Sequence, residues 1–139
     1  MSTLSPEEAL IYAMITTAAV DRRITDDELM RIGSIVKELP PFRNYEHDWL
    51  VREARDCSKV LVGADGLDRV LDLIVDSLPL HLHETVYVLA AEVAASDLKV
   101  RIEEVRFLER LAGRLNLDKL ICAALERAAK ARHQRLDPS

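Results

Sequence analysis

Aromatic side chains are scarce in this sequence. Two Phe, three Tyr and one Trp make up 4% of 139 residues, although 49% are hydrophobic. Glycine (four) and proline (five) are also few. Sandwiches and barrels draw on aromatic strands and frequent Gly/Pro turns, so this balance points instead to helices built from Ala, Leu and Val. Two cysteines, Cys57 and Cys122, form neither a disulfide framework nor a zinc-ligand spacing, and each sits in an apolar periodic pattern as a buried thiol would. A basic excess is missing too: the net charge of −5 and pI near 5.4 argue against a general nucleic-acid binder, which needs a basic face. The most apolar stretch, Leu10 to Val20, carries two threonines and is too short to span a bilayer. The opening MSTLSPEEAL lacks the basic segment and apolar run of a secretory signal. A soluble, cytoplasmic chain with no membrane insertion is the expectation. No Gly-rich phosphate loop and no supported Ser/His/Asp order is present, so no enzyme is expected. Paired-carboxylate catalysis would need separated pKa values around a substrate cleft.

What the chain does contain is helical periodicity, punctuated by start and stop signals. Ser5-Pro6-Glu7-Glu8 has the serine, the first-turn proline and the third-position glutamate of a capping box. It opens a helix running to about Val20 that buries Leu10, Met14, Thr17 and Ala18. A second box, Thr25 with Glu28, opens a helix with Leu29, Ile32, Val36 and Leu39 inward, and Pro40-Pro41 ends it. After a connector from Phe42 to Glu46, a third helix presents Leu50, Ala54, Cys57 and Leu61. A turn at Gly63 to Gly66 leads to a fourth, with Leu67, Val70, Leu71, Ile74 and Leu78. Pro79 breaks the chain before helices from about Leu82 to Ala95 and Ile102 to Arg114. Asn116 then reads as the cap of a seventh, basic helix, with Leu117, Leu120, Ile121, Ala124 and Ala128 inward and Arg127, Lys130, Arg132 and Arg135 outward. Trp49, with Tyr45 nearby, reads as a core or rim anchor. The expected fold is an all-α compact bundle of about seven helices in a single domain, residues 1–139.

Two stretches organise this bundle. DRRITDDE, Asp21 to Glu28, is echoed by DLKVRIEE, Asp97 to Glu104; 97 − 21 and 104 − 28 both give 76. The same offset lays Glu8 on Glu84, Ala18 and Ala19 on Ala94 and Ala95, and Ile24 on Val100. A degenerate internal repeat follows, with halves at about 7–40 and 83–116 and a basic helix over 117–135. In each copy an aspartate stands just past a helix end, where unpaired carbonyls already carry partial negative charge. With a glutamate seven residues on, each turn gathers the oxygen ligands that hard divalent cations prefer. Caps and salt bridges explain the same acids: Glu28 has its box with Thr25, and Asp21 has Arg22 and Arg23 beside it. An EF-hand is excluded, because its glycine and alternating ligands are missing. His81-Leu82-His83-Glu84 and His47-Asp48 are weaker metal candidates; after Pro79 the former suits a first helical turn.

The pattern A-A-V-D21-R-R-I24-T-D-D-E28 and its counterpart A-S-D97-L-K-V100-R-I-E-E104, each opening an aliphatic-periodic helix, resemble the tellurite-resistance TerB family and the wider TerB-like domains. The resemblance covers about Glu7 to Asp118. It implies a small all-helical domain of bacterial stress and tellurite-resistance systems, without catalytic activity, acting through metal sensing or assembly with partners. Carried over, the cation contacts would be Asp21, Glu28, Asp97 and Glu104, with Glu8 and Glu84 as further candidates and a divalent cation as cofactor. Arg22 and Leu98 stand where the family has a glycine. Two readings result: a cation-binding, partner-binding TerB-like domain, or a metal-free helical adaptor or scaffold whose acidic turns are structural. If the halves are related by a pseudo-two-fold axis, the four acids can converge on one site; if the turns sit at opposite ends, each has only its own acids.

Overall fold

The computed structural model describes residues 4–20, 23–46, 48–97 and 100–137. Among these are seven α-helices and no strand: α1 Pro6–Ala19, α2 Asp26–Lys37, α3 Trp49–Leu61, α4 Gly66–Ser77, α5 His83–Ser96, α6 Ile102–Leu115 and α7 Lys119–Arg132. Short 3₁₀ turns at Pro40–Phe42 and Leu80–Leu82 follow the proline breaks. None of the described helices is long and apolar enough to cross a membrane. The caps form as the sequence suggests. Ser5 Oγ accepts from the Glu8 amide while Glu8 accepts from the Ser5 amide, and Thr25 and Glu28 repeat the exchange.

Two helices form the centre. α1 packs against α2, α3, α4, α5 and α6, and α5 against α1, α6 and α7. Surrounded on this scale, α1 has no solvent face: every residue from Ala9 to Ala19 is buried, not only the stripe expected from periodicity. Alanines at 9, 13, 18, 90, 91 and 94 are among the buried set and let the two backbones approach. The polar groups this traps are satisfied locally. Thr17 Oγ1 donates to the Ala13 carbonyl at 2.7 Å, one turn back, and Thr16 Oγ1 meets Cys57 Sγ at 3.5 Å. Burial pushes the Cys57 thiol up to about 12, so it is a packing group rather than a nucleophile. At Glu92, the repeat counterpart of Thr16, a different bolt holds α7 to α5. Its carboxylate takes Arg132 Nε at 2.8 Å and His133 Nε2 at 3.1 Å.

α7 differs from the sequence reading. Cys122 and Ala129 are buried and Leu125 packs on the core, whereas Leu120, Ile121, Ala124 and Ala128 face outward. Asn116 is not its cap: at φ 56° it closes α6 in the left-handed region, and Asp118 precedes α7. The α3–α4 turn depends on Gly66 for close approach rather than for a positive φ, since a Cβ there would stand 2.1 Å from the Leu61 carbonyl oxygen. Asp65, just before it, takes the left-handed conformation (φ 54°). Gly113 is the opposite case, with open space where a Cβ would go. Gly113→Ala is therefore expected to stabilise α6 by about 0.5–1 kcal/mol, read from urea unfolding.

Candidate functional site

α1 and α5 end side by side, and the starts of α2 and α6 fold back over those ends. The result is one narrow crevice lined by Ala18, Glu28, Arg31, Val93, Ser96, Asp97 and Glu104. Acids from both halves thus meet: Glu28 from the first copy with Asp97 and Glu104 from the second. Asp21 lies outside the described residues, as do Arg22, Leu98 and His47. Glu8 and Glu84 are elsewhere. Each is ten residues before the alanine at its helix end, roughly 15 Å away along the axis, so neither can add an oxygen to the crevice.

Arginines close it. Arg31, on α2, donates from Nη1 to the Ser96 carbonyl at the end of α5, at 3.1 Å. Arg101, preceding α6, donates from Nη2 to the Ala18 carbonyl at the end of α1, at 3.0 Å. Each half therefore caps the other half's central helix with a guanidinium, where the chain-end dipole is negative. Arg101 also holds Glu104. Its amide donates to Glu104 Oε1 at 3.1 Å and its Nε stands 3.4 Å from the same oxygen. Glu104 is 1% exposed, and its second oxygen, Oε2, is buried with no hydrogen-bond partner among the described residues. Burial raises its pKa, the Arg101 amide works against this, and the charge of Asp97 adds to the rise.

The described residues of this crevice offer a divalent cation little room and few free oxygens. The crevice leaves only about 10 Å³, room for a single water. One oxygen each of Glu28 and Glu104 is engaged in helix-start hydrogen bonds, while calcium asks for six to eight oxygens. Among the described residues, no three His, Cys, Asp or Glu side chains form a group able to hold a metal ion. The histidine pair does not gather either: His81 is exposed, and the His83 ring turns back to the Leu78 carbonyl at 3.3 Å.

The chain matches no family model, no curated protein and no solved structure. What the molecule can do must therefore be read from its own surfaces, and two further features stand out.

One is a second carboxyl pair. Glu53 on α3 is 2% exposed and hydrogen-bonds Glu8; burial, then that bond, pushes its pKa up to about 7. Glu8 moves the other way: its capping bonds from Ser5 and the contact with Glu53 outweigh burial and hold it below the usual range. Burial also raises the phenols of Tyr12 and Tyr45 beside them. Tyr45 continues outward through edge-to-face contacts with Phe42 and Trp49, and Arg52 lies over the Trp49 ring at 5.8 Å. Trp49 is thus a rim anchor.

The other feature is a groove of about 780 Å³ between α2 and α3. Its floor is Ala19, Val20 and Ala54, its walls carry Ile24, Leu29, Val51, Leu61 and Val62, and Arg23, Asp26, Arg55 and Lys59 are the charged groups along it. It lies at the α1–α2 junction: Ala18 faces the acidic crevice, and the next two residues face the groove. Sequence reasoning missed Arg31, Arg101, Glu53 and this groove. Only Arg101 left a trace, as the basic residue standing at the cap position that Thr25 fills in the first copy.

Proposed function

We propose that this chain is a non-enzymatic TerB-like helical domain, of the kind linked to tellurite and general stress tolerance, that works by holding a protein partner. In this reading the acidic turns are a structural junction rather than a cation seat. The carrying observation is the pair of guanidinium groups, Arg31 on the Ser96 carbonyl and Arg101 on the Ala18 carbonyl and Glu104. They supply from within the chain the positive charge that a bound cation would bring. The duplicated Asp…Glu turns in an all-helical chain support the TerB-like part. The partner-binding part is supported by the open apolar groove, since apolar residues as exposed as Val51 and Val62 (54% and 86%) are well placed for contact with another molecule.

A cation-binding version retains one supporting observation, the unpartnered Glu104 Oε2 beside Asp97. Calorimetric titration of the chelator-stripped protein with calcium, magnesium and zinc separates the two. Heats indistinguishable from dilution are expected for all three. Saturable binding that disappears in the Asp21→Asn/Asp97→Asn variant would establish a cation site and overturn the structural reading of the turns.

A further inference from the structure

Resting on the partner-binding reading above, we infer that the α2–α3 groove is the docking site of an acidic amphipathic helix about three turns long. Along α3 the lining runs from Val51 to Val62, apolar at Val51, Ala54, Leu61 and Val62, with Arg55, Ser58 and Lys59 between them. Eleven residues at helical rise make a trough about 16 Å long, the length of a three-turn helix. Small residues, Ala19 and Ala54, form the floor, so a side chain from above can descend between the walls. Such a trough takes apolar anchors at i, i+3 or i+4, and i+7.

Charge selects the sign of the partner. The chain as a whole is acidic, at −5, yet among the described residues lining this groove Arg55 and Lys59 stand against one anionic side chain, Asp26. Arg55 and Lys59 are exposed and four residues apart on α3, one turn or about 6 Å along the rim. A helix lying in the groove meets both with a pair of acids at its own i and i+4 positions. α7 of a second copy is a poor occupant. Its outward apolar pair, Leu120 and Ile121 on α7, sits beside Lys119 on a helix that also carries Arg127, Lys130 and Arg132, the same sign as the rim. A single acyl chain would leave one side wet in a groove this open. The helix covers the walls and supplies the opposite charge.

The test is selection of a displayed library of helical 14-residue peptides against the whole chain. Each enriched peptide is then measured by fluorescence anisotropy against wild type, Arg55→Glu/Lys59→Glu and Val51→Lys/Val62→Asp. All four substituted residues are exposed, and circular dichroism checks that the variants keep the fold. Enriched peptides are expected to carry an apolar stripe flanked by acids at i and i+4. They should lose at least tenfold in affinity to both variants, and Lys-for-Glu versions of the same peptides should prefer the charge-reversed protein. Peptides that bind all three proteins alike would overturn the groove assignment while leaving a partner-binding domain. A selection that enriches nothing would count against both. Retention of the chain on phosphatidylglycerol vesicles, lost in the same variants with no acidic peptide enriched, would overturn the helix in favour of a membrane surface.

Discussion

Arg101→Ala is expected to destabilise the protein by about 2–4 kcal/mol at pH 7, as removal of one partner from a largely buried ion pair does. The substitution leaves Glu104, 1% exposed, without the guanidinium that faces its carboxylate, and removes a donor from the Ala18 carbonyl. The loss should shrink with acidity. Burial already holds the Glu104 pKa above its ordinary value, and without Arg101 it climbs further. The native state then takes up a proton that the unfolded chain does not, so the lost stability returns as pH falls. Urea unfolding at pH 7 and pH 5 reads this directly. Adding Glu104→Gln should recover at least about 1 kcal/mol of the loss, because a neutral amide needs no counter-charge. A loss at pH 7 that Glu104→Gln does not relieve would sink the pairing.

Glu53→Gln is expected to do the reverse and stabilise the protein at alkaline pH. The folded pKa of Glu53 is raised from about 4.5 to about 7. Between those values the native state holds a proton that the unfolded chain has released. The contribution of Glu53 is therefore complete below pH 4.5 and is lost as pH rises through 7. Above that, two carboxylates face each other at Glu8 and Glu53. At about 1.4 kcal/mol per pH unit the gap sets a ceiling of about 3 kcal/mol, and the opposite displacement of Glu8 offsets part of it. Glutamine keeps a donor toward Glu8 without the charge. The variant should gain about 1–2 kcal/mol at pH 8 and show a flatter stability profile between pH 5 and 7.5. Equal stability of variant and wild type at pH 8 would mean that Glu53 is not a strained carboxylate.

Legibility followed the range of the interaction. Capping boxes act over three residues, and those at Ser5 and Thr25 were readable outright. Core stripes act over one helix: Ile32 and Val36, or Val70, Leu71 and Ile74, fell where periodicity put them. α7 defeated the same reasoning because it is built largely of alanine. With few large apolar side chains the stripe through Leu120 and Ile121 competed with one through Cys122, Leu125 and Ala129, and contact with α5 alone decided it. Asn116 misled for a chemical reason, since asparagine serves both as a helix start and as a left-handed stop. The repeat left open whether acids from the two halves meet; Glu28, Asp97 and Glu104 do line one crevice. It could not foretell what closes that crevice. Arg31 reaches 65 residues along the chain and Arg101 reaches 83; no local pattern encodes where a long side chain will end.

The exchange of caps between the halves has a consequence for how the molecule assembles. Part of the capping at each helix end comes from a side chain of the other half, so it is complete only when both halves have arrived. α1 and α5 should therefore open and close as one cooperative unit, with the amides of their last turns exchanging hydrogen in step. A nascent first half, emerging alone, would lack the Arg101 contact at the Ala18 carbonyl of α1. Contacts between the halves of this small helical protein are distant in sequence, and its refolding should be slower than the short loops between neighbouring helices suggest.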